Sequence, residues 1–183
     1  LNFSVRLVRS NFATALKKTY ILSYNDKVIL TKSGGAFLSN NTTPIQLKFK
    51  TTINHPGELP EIMEIFVDGS YMLKDGKKVY IQYEEILNDK TMRTTLRFDE
   101  SDGIIMRNGD IKMRLPFVKG YDQRGHYTAD FGEMPIIVRT HHIDNKPLND
   151  EVTTGELTVR YELIVGGESV GEYTLEYSYT EGK

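Results

Sequence analysis

The histidines and paired acids of this chain are its best candidates for chemistry, but their spacing separates them. His141 and His142 are adjacent in a strand-like segment, so their side chains would point to opposite faces and could not ligate one metal ion. Glu84 and Glu85 are also adjacent, and the same alternation predicts that they do not form a general acid and base pair.

Two histidines keep an alternative role. His142 shares the parity of Ile136 and Val138, which predicts an inward side chain, either hydrogen-bonded in the wall or acting as an axial haem ligand. His126 follows Gly125 at the junction of a loop and a strand, where a structural role competes with a catalytic one. The pattern singles out no catalytic residue, no metal site and no cofactor.

Basic residues recur along the predicted strands, mainly at outward positions. A nucleic-acid surface is one interpretation and an ordinary charged exterior is the other. Residues 1–37 hold six of the 23 basic residues and one of the 25 acidic residues, which leaves the rest of the chain a net charge of −7. Because that charge opposes phosphate binding, we expect no nucleic-acid partner. Walker A, GxGxxG, GxSxG and HExxH motifs are absent from the sequence.

Composition is that of one soluble domain. The chain has 183 residues, 39% of them apolar and 26% charged, and no cysteine. The lack of cysteine excludes disulfide scaffolds and thiolate chemistry. No apolar run reaches the roughly 18–20 residues of a membrane span, and no signal-peptide pattern opens the sequence. We expect a cytoplasmic protein without a membrane span.

Residues 1–37 form a basic N-terminal extension that differs from residues 38–183. The stretch Val5–Ile21 could be an amphipathic basic helix that contacts a membrane or an acidic partner. The alternative is a misassigned translation start. Gly34-Gly35 could be encoded by a ribosome-binding sequence, and Leu38 could be encoded by TTG, which is also a bacterial start codon.

The segment Gly103–Phe117 gives the strongest hairpin signal. Asn108-Gly109 suits a two-residue type I′ turn, which would place Arg107 opposite Asp110 and Met106 opposite Ile111. In that register one face carries four apolar residues, namely Ile104, Met106, Ile111 and Met113.

Two further hairpins can be given a register. Around Asp75-Gly76, a three-residue turn pairs Tyr71 with Val79 and keeps the apolar set together. At Gly166-Gly167-Glu168, a three-residue turn pairs Tyr161 with Tyr173, and one face becomes aromatic and aliphatic.

This succession of hairpins predicts an all-β domain. Nine or ten short strands, each with one solvent-exposed face, indicate an antiparallel meander. Closure into a barrel would leave the meander without unpaired edge strands. We therefore predict a single up-and-down β-barrel of about 8–10 strands in which strand 45–53 pairs with strand 169–179. A β-sandwich is the competing architecture.

The same segments carry a resemblance to a known family. They are YIQYEE at Tyr80–Glu85, TTLRF at Thr94–Phe98, IIMRNGDIKMRLPF at Ile104–Phe117, GHYTADFGEMPIIVRT at Gly125–Thr140 and GELTVRYELIVGGESVGEYTL at Gly155–Leu175. Residues from about 45 to 179 resemble the YwiB-like family of uncharacterised bacterial β-barrel proteins. The resemblance implies a calycin (lipocalin-like) fold and no established activity. The chain has no tryptophan, so the Gly-x-Trp signature of secreted lipocalins is missing.

The predicted barrel interior is the remaining candidate site. Its wall should combine apolar side chains with hydroxyl groups that need hydrogen-bond partners. The candidate ligand-binding residues are Tyr71, Tyr83, Thr94, Met106, Met113, Tyr161, Tyr173 and Tyr177. We expect non-enzymatic binding of a small apolar ligand. The alternatives are a protein-interaction barrel with a packed core, whose partner the sequence does not identify, and an enzyme with a Tyr/His site in the interior.

Overall fold

A computed structural model describes residues 42–87, 90–129, 132–149 and 153–182 of the 183-residue chain. Its secondary structure over these residues consists of ten β-strands. They are β1 (Thr43–Asn54), β2 (Glu61–Lys74), β3 (Lys78–Leu87), β4 (Lys90–Phe98), β5 (Asp102–Asn108), β6 (Lys112–Val118), β7 (Asp122–Ala129), β8 (Gly132–Asn149), β9 (Thr154–Val165) and β10 (Glu168–Glu181). The described residues contain no helix with the length and apolarity of a membrane span. The extension 1–37 lies outside the described residues.

The ten strands form one closed antiparallel barrel. Each strand pairs with its neighbours in sequence, and β1 closes the sheet against β10. The closing ladder runs from Ile45 opposite Glu181 to Asn54 opposite Glu172. The prediction of an up-and-down barrel sealed between these two segments is therefore confirmed, and the sandwich alternative is wrong.

Period-two alternation places the core inside this barrel. In β1, the odd-numbered residues from Ile45 to Ile53 are buried, and the residues between them are exposed or half-buried. The same alternation continues through β9, from Leu157 to Val165. Because neighbouring side chains on a strand point to opposite faces, one face of each strand can fill the interior while the other contacts water. The buried residues form one continuous hydrophobic cluster.

The last hairpin has the predicted register. Tyr161 lies opposite Tyr173, and Val159 lies opposite Leu175. The connection is a tight turn at Gly166 and Gly167, with φ values of 61° and 85°. A bulge between Ser169 and Gly171 then restores the pairing that a three-residue turn would give.

The register predicted for the central hairpin is wrong. Arg107 lies opposite Met113, and Ile105 lies opposite Leu115. Asn108 ends β5 without a positive φ, which excludes a type I′ turn at Asn108-Gly109. The connection is also longer than two residues, because β6 begins only at Lys112. The pairing differs from the prediction by three residues. An odd shift reverses the facing of β5, so Ile105 and Arg107 are buried in place of Ile104 and Met106.

The register predicted for β2 and β3 is shifted by two residues. Tyr71 lies opposite Ile81 rather than Val79, and Gly69 lies opposite Tyr83. The three-residue connection covers residues 75–77, one position later than predicted. An even shift preserves the inward and outward faces, so Tyr71, Val79 and Ile81 still face the core.

The inward orientation predicted for His142 is also wrong. A bulge in β8 interrupts its pairing with β9 between Thr140 and His142. Thr140 and Ile143 are buried, whereas His142 is half-buried opposite Arg160. The extra residue shifts the alternation by one, which simple parity from Ile136 cannot anticipate.

Replacing Gly109 should test the connection between β5 and β6. Gly109 has a φ of 144°, and a Cβ atom there would lie 2.5 Å from the carbonyl oxygen of Thr91. We expect Gly109→Val to lower the free energy of unfolding by roughly 2 kcal/mol or more. Asp110→Ala, at the next and exposed position, should cost under about 1 kcal/mol. Urea unfolding measures both variants, and equal losses would contradict the connection described here.

The two faces of β10 should respond differently to charge. Leu175 is buried and Thr174 is half-buried on the outer face. Leu175→Lys buries an ammonium group and removes apolar packing, so it should lower the free energy of unfolding by roughly 3–5 kcal/mol. Thr174→Lys should cost about 1 kcal/mol or less. Similar losses in thermal or urea unfolding would mean that Leu175 does not face the core.

Candidate functional site

The barrel interior, which we call the lumen, contains most of the predicted ligand-binding residues. Seven of the eight lie on the inward face of their strands, although Tyr71 is only partly buried. The buried members are Tyr83, Thr94, Met113, Tyr161, Tyr173 and Tyr177. Met106 is the exception, because the three-residue change of register turns it to the outer face.

A chain of aromatic rings crosses the lumen. The Phe98 ring lies 5.7 Å from the Phe117 ring, Phe117 lies 5.0 Å from Tyr161, and Tyr161 stacks on Tyr173 at 5.2 Å. Phe117 belongs to β6 and Tyr161 to β9, which are not neighbouring strands. The contact between them therefore bridges the interior, and these rings occupy space that a ligand could otherwise fill.

Two tyrosines pair on another part of the wall. The Tyr71 ring stacks on the Tyr179 ring with 5.3 Å between centroids. Burial raises the pKa of Tyr71, while a hydrogen bond with Tyr179 opposes that shift. Burial also raises the pKa of Tyr179, and the neighbouring Tyr71 adds to the effect. Both phenols therefore stay protonated near neutral pH, which suits hydrogen bonding better than base or nucleophile chemistry.

A buried ion pair occupies the lumen between β3 and β5. The side chain of Arg107 is only 2% exposed, and its Nη2 lies 3.0 Å from Glu85 Oε1. Its Nε donates a hydrogen bond to Thr94 Oγ1 at 3.2 Å. The Glu85 side chain keeps 18% exposure. Because an unpaired buried charge is strongly unfavourable, Glu85 is what allows Arg107 to occupy this interior.

This ion pair does not follow from the hairpin signal in the sequence. The Asn108-Gly109 pair favours a register with Arg107 on the outside, and the apolar residues Ile104 and Met106 agree with it. A second signal was present, since Glu85 shares the inward parity of Tyr83. A carboxylate on the inward face requires a partner, and Arg107 supplies it when β5 takes the other facing.

Two threonine hydroxyls are orphaned in the lumen. Thr51 on β1 and Thr140 on β8 are buried, and neither Oγ1 atom has a hydrogen-bond partner within the described part of the chain. Leaving a buried polar group unsatisfied typically costs about 1–3 kcal/mol. Such groups therefore mark places where a guest molecule could add a hydrogen bond.

The histidines do not converge on a site. His126 lies opposite Arg114 and Pro135 on the outer face, and His141 is exposed. His55 Nδ1 lies 2.8 Å from the carbonyl oxygen of Val170, so it can donate a hydrogen bond that ties the loop after β1 to β10. In the ranges that the structure describes, no three His, Asp or Glu residues are arranged to hold a metal ion.

Comparisons with known proteins agree with this fold. A family model described as "Domain of unknown function (DUF1934)" matches residues 47–176. The chain is 30% identical to the uncharacterised β-barrel protein YwiB of Bacillus subtilis over 140 residues, which cover 76% of this chain and 95% of that protein. The crystal structure of YwiB superimposes with a TM-score of 0.68 at 29% identity, covering 81% of this chain and all of the other.

Removing Arg107 should test the buried ion pair, with a surface pair as control. Arg107→Ala would leave Glu85 without its cation, so we expect the free energy of unfolding to fall by roughly 3 kcal/mol. Arg93 pairs with Glu84 on the outer face of the adjoining strands, and its side chain is 43% exposed. Arg93→Ala should cost under about 1 kcal/mol. If urea unfolding gives equal losses, Arg107 is not buried as described.

Proposed function

This chain belongs to the DUF1934 family of YwiB-like β-barrel proteins, and on that premise we propose that its lumen binds a small, mostly apolar molecule without converting it. The observation that carries the proposal is the pair of orphaned hydroxyls of Thr51 and Thr140 in an interior whose buried side chains are mostly apolar or aromatic. Binding sites for small molecules combine an apolar wall with a few convergent polar groups. A ligand that hydrogen-bonds to either hydroxyl would recover free energy that the unliganded barrel lacks.

The size of the barrel supports the same proposal. Eight-stranded barrels are about wide enough for side chains to fill them or to enclose one small ligand. Ten strands enclose a wider interior, and here the aromatic chain from Phe98 to Tyr173 occupies part of it. The remaining wall offers both aliphatic surface and hydroxyl groups, which favours a compact ligand with one polar end.

A protein-interaction role is the second candidate. Three large apolar side chains are exposed on and before β2, namely Leu59 at 87%, Ile62 at 61% and Phe66 at 55%. Ile62 and Phe66 share the outer face of this strand, and Lys48 lies over the Phe66 ring at 5.6 Å. Contiguous exposed apolar surface is typical of protein interfaces. Such a role would use the outside of the barrel and would not need the lumen.

Uptake of a neutral fluorescent probe separates the two candidates. We expect N-phenyl-1-naphthylamine to bind saturably, because an apolar probe gains a dry environment in the lumen. Leu175→Phe should weaken that binding roughly tenfold, or about 1.4 kcal/mol, by filling space. Thr174→Phe on the outer face of the same strand is the matched control and should leave binding unchanged. Native mass spectrometry of protein purified from its own cells should also detect a bound small molecule.

Three outcomes would count against the ligand proposal. The probe could fail to bind while Leu175→Phe costs about 1–3 kcal/mol of stability, as in an overfilled core. Binding could be equally weakened by the Thr174 control. Phe66→Ser could abolish binding, which would locate the probe on the outer apolar surface and favour the interaction role.

A further inference from the structure

The wall of the barrel separates between β2 and β3. These strands pair only along Gly69–Lys74 and Lys78–Tyr83. The rest of β2, Glu61–Asp68, pairs with β1 alone, and the rest of β3, Glu84–Leu87, pairs with β4 alone. Among the described residues, no ladder connects these two stretches. Gly69 forms the last pair before the separation, where a Cβ atom would lie 2.8 Å from the carbonyl oxygen of Gln82.

Side chains beside this separation reach water although they face inward. Met63 and Val67 on β2 are partly exposed, and the Glu85 side chain on β3 is 18% exposed. On β9 and β10, by contrast, Tyr161 and Tyr173 are each only 2% exposed. The inward side chains beside the separation are therefore more exposed than those around Tyr161 and Tyr173. We call the gap bounded by Met63, Val67 and Glu85 the lateral opening.

A side chain at the lateral opening bonds the buried cation. Glu85 borders the opening and accepts a hydrogen bond from Arg107, which is 2% exposed and also bonds Thr94. Arginine presents its N–H groups in a rigid planar fork that matches a carboxylate. The lumen thus contains a built position for one carboxylate, which is filled by the partly exposed side chain of Glu85.

We propose that Arg107 is the head-group site for an amphiphilic carboxylic acid, which enters through the lateral opening and displaces Glu85 toward solvent. This proposal rests on the proposed ligand-binding function and names the class of ligand. The acid would bind as its anion, with its carboxylate on Arg107 and its apolar chain along Met63 and Val67. No bond forms or breaks, and one carboxylate replaces another on the same guanidinium.

The exchange avoids the main electrostatic cost of binding an anion inside a protein. Arg107 stays paired throughout, so no uncompensated buried charge appears. Glu85 regains hydration at the opening, because it already contacts water there. A neutral alcohol of the same length cannot replace the carboxylate and would leave the pair of Glu85 and Arg107 in place. The charge of the head group therefore selects a carboxylic acid over a neutral alcohol that makes the same apolar contacts.

Competition with N-phenyl-1-naphthylamine tests the head group. Decanoate should displace the probe at least about tenfold more effectively than 1-decanol at a pH where the acid is ionised. Glu85→Gln removes the competing carboxylate and should strengthen decanoate binding several-fold while leaving decanol unchanged. Arg107→Gln should abolish the preference for decanoate. Glu84→Gln, the outward neighbour, is the matched control and should change neither ligand.

Each result of this competition has a distinct meaning. Equal affinity for decanoate and decanol would overturn the head-group assignment and leave the ligand-binding function standing. Failure of the probe and both ligands, checked by calorimetry, would overturn the ligand-binding function itself. If Arg107→Gln does not fold, Glu85→Gln still decides, since weaker or unchanged decanoate binding in that variant contradicts displacement of Glu85.

The route can be tested because the chain has no cysteine. A single cysteine at Val67→Cys, inside the opening, can be modified with a bulky maleimide. That adduct should slow association of the probe and of decanoate at least about tenfold in stopped-flow measurements. Asp68→Cys carries the same adduct on the outer face and should leave the rates unchanged. Unchanged rates for the Val67 adduct would exclude this opening as the entrance.

Discussion

Closure between the first and last strands is the constraint on which this structure depends. The ladder from Ile45–Glu181 to Asn54–Glu172 gives β1 and β10 partners on both sides. Without it, both strands would present long unpaired edges, and the inward face of the whole meander would lose its enclosure. Because side chains alternate along each strand, closure also decides which residues form the interior. The ion pair, the orphaned hydroxyls and the aromatic chain all become lumen features through this single ladder.

The sequence predicts the register of a hairpin where only one face of its strands is apolar. Between the strand ends, at 157–163 on β9 and 171–179 on β10, every inward position is apolar or aromatic, or is a glycine, and the pairing of Tyr161 with Tyr173 follows. In β5 both faces carry apolar residues, so the strong Asn108-Gly109 signal decided the register and reversed the facing. The bulge beside His142 has no comparable signal, because an extra residue in a strand leaves the local composition unchanged. Alternation therefore predicted the fold well, but it failed where strands slip or bulge.

The buried Arg107 shows why the candidate site was harder to predict than the fold. An arginine on a strand usually faces water, and composition alone supports that expectation. Here it points inward because Glu85 and Thr94, on two other strands, provide its hydrogen bonds. Replacing such a pair by apolar residues is often neutral or stabilising in proteins. The presence of the Arg107–Glu85 pair in an aromatic interior is thus a better indication of ligand recognition than of a contribution to stability.

The location of the tyrosines gives the lumen an optical signal of its own. The chain has eleven tyrosines and no tryptophan. Of the nine tyrosines among the described residues, seven lie on the inward face, namely Tyr71, Tyr83, Tyr127, Tyr161, Tyr173, Tyr177 and Tyr179. Near-ultraviolet circular dichroism arises from aromatic rings held in fixed, asymmetric packing. The native spectrum of this protein should therefore be dominated by the interior of the barrel, so that rearrangement around a guest becomes visible without any attached dye.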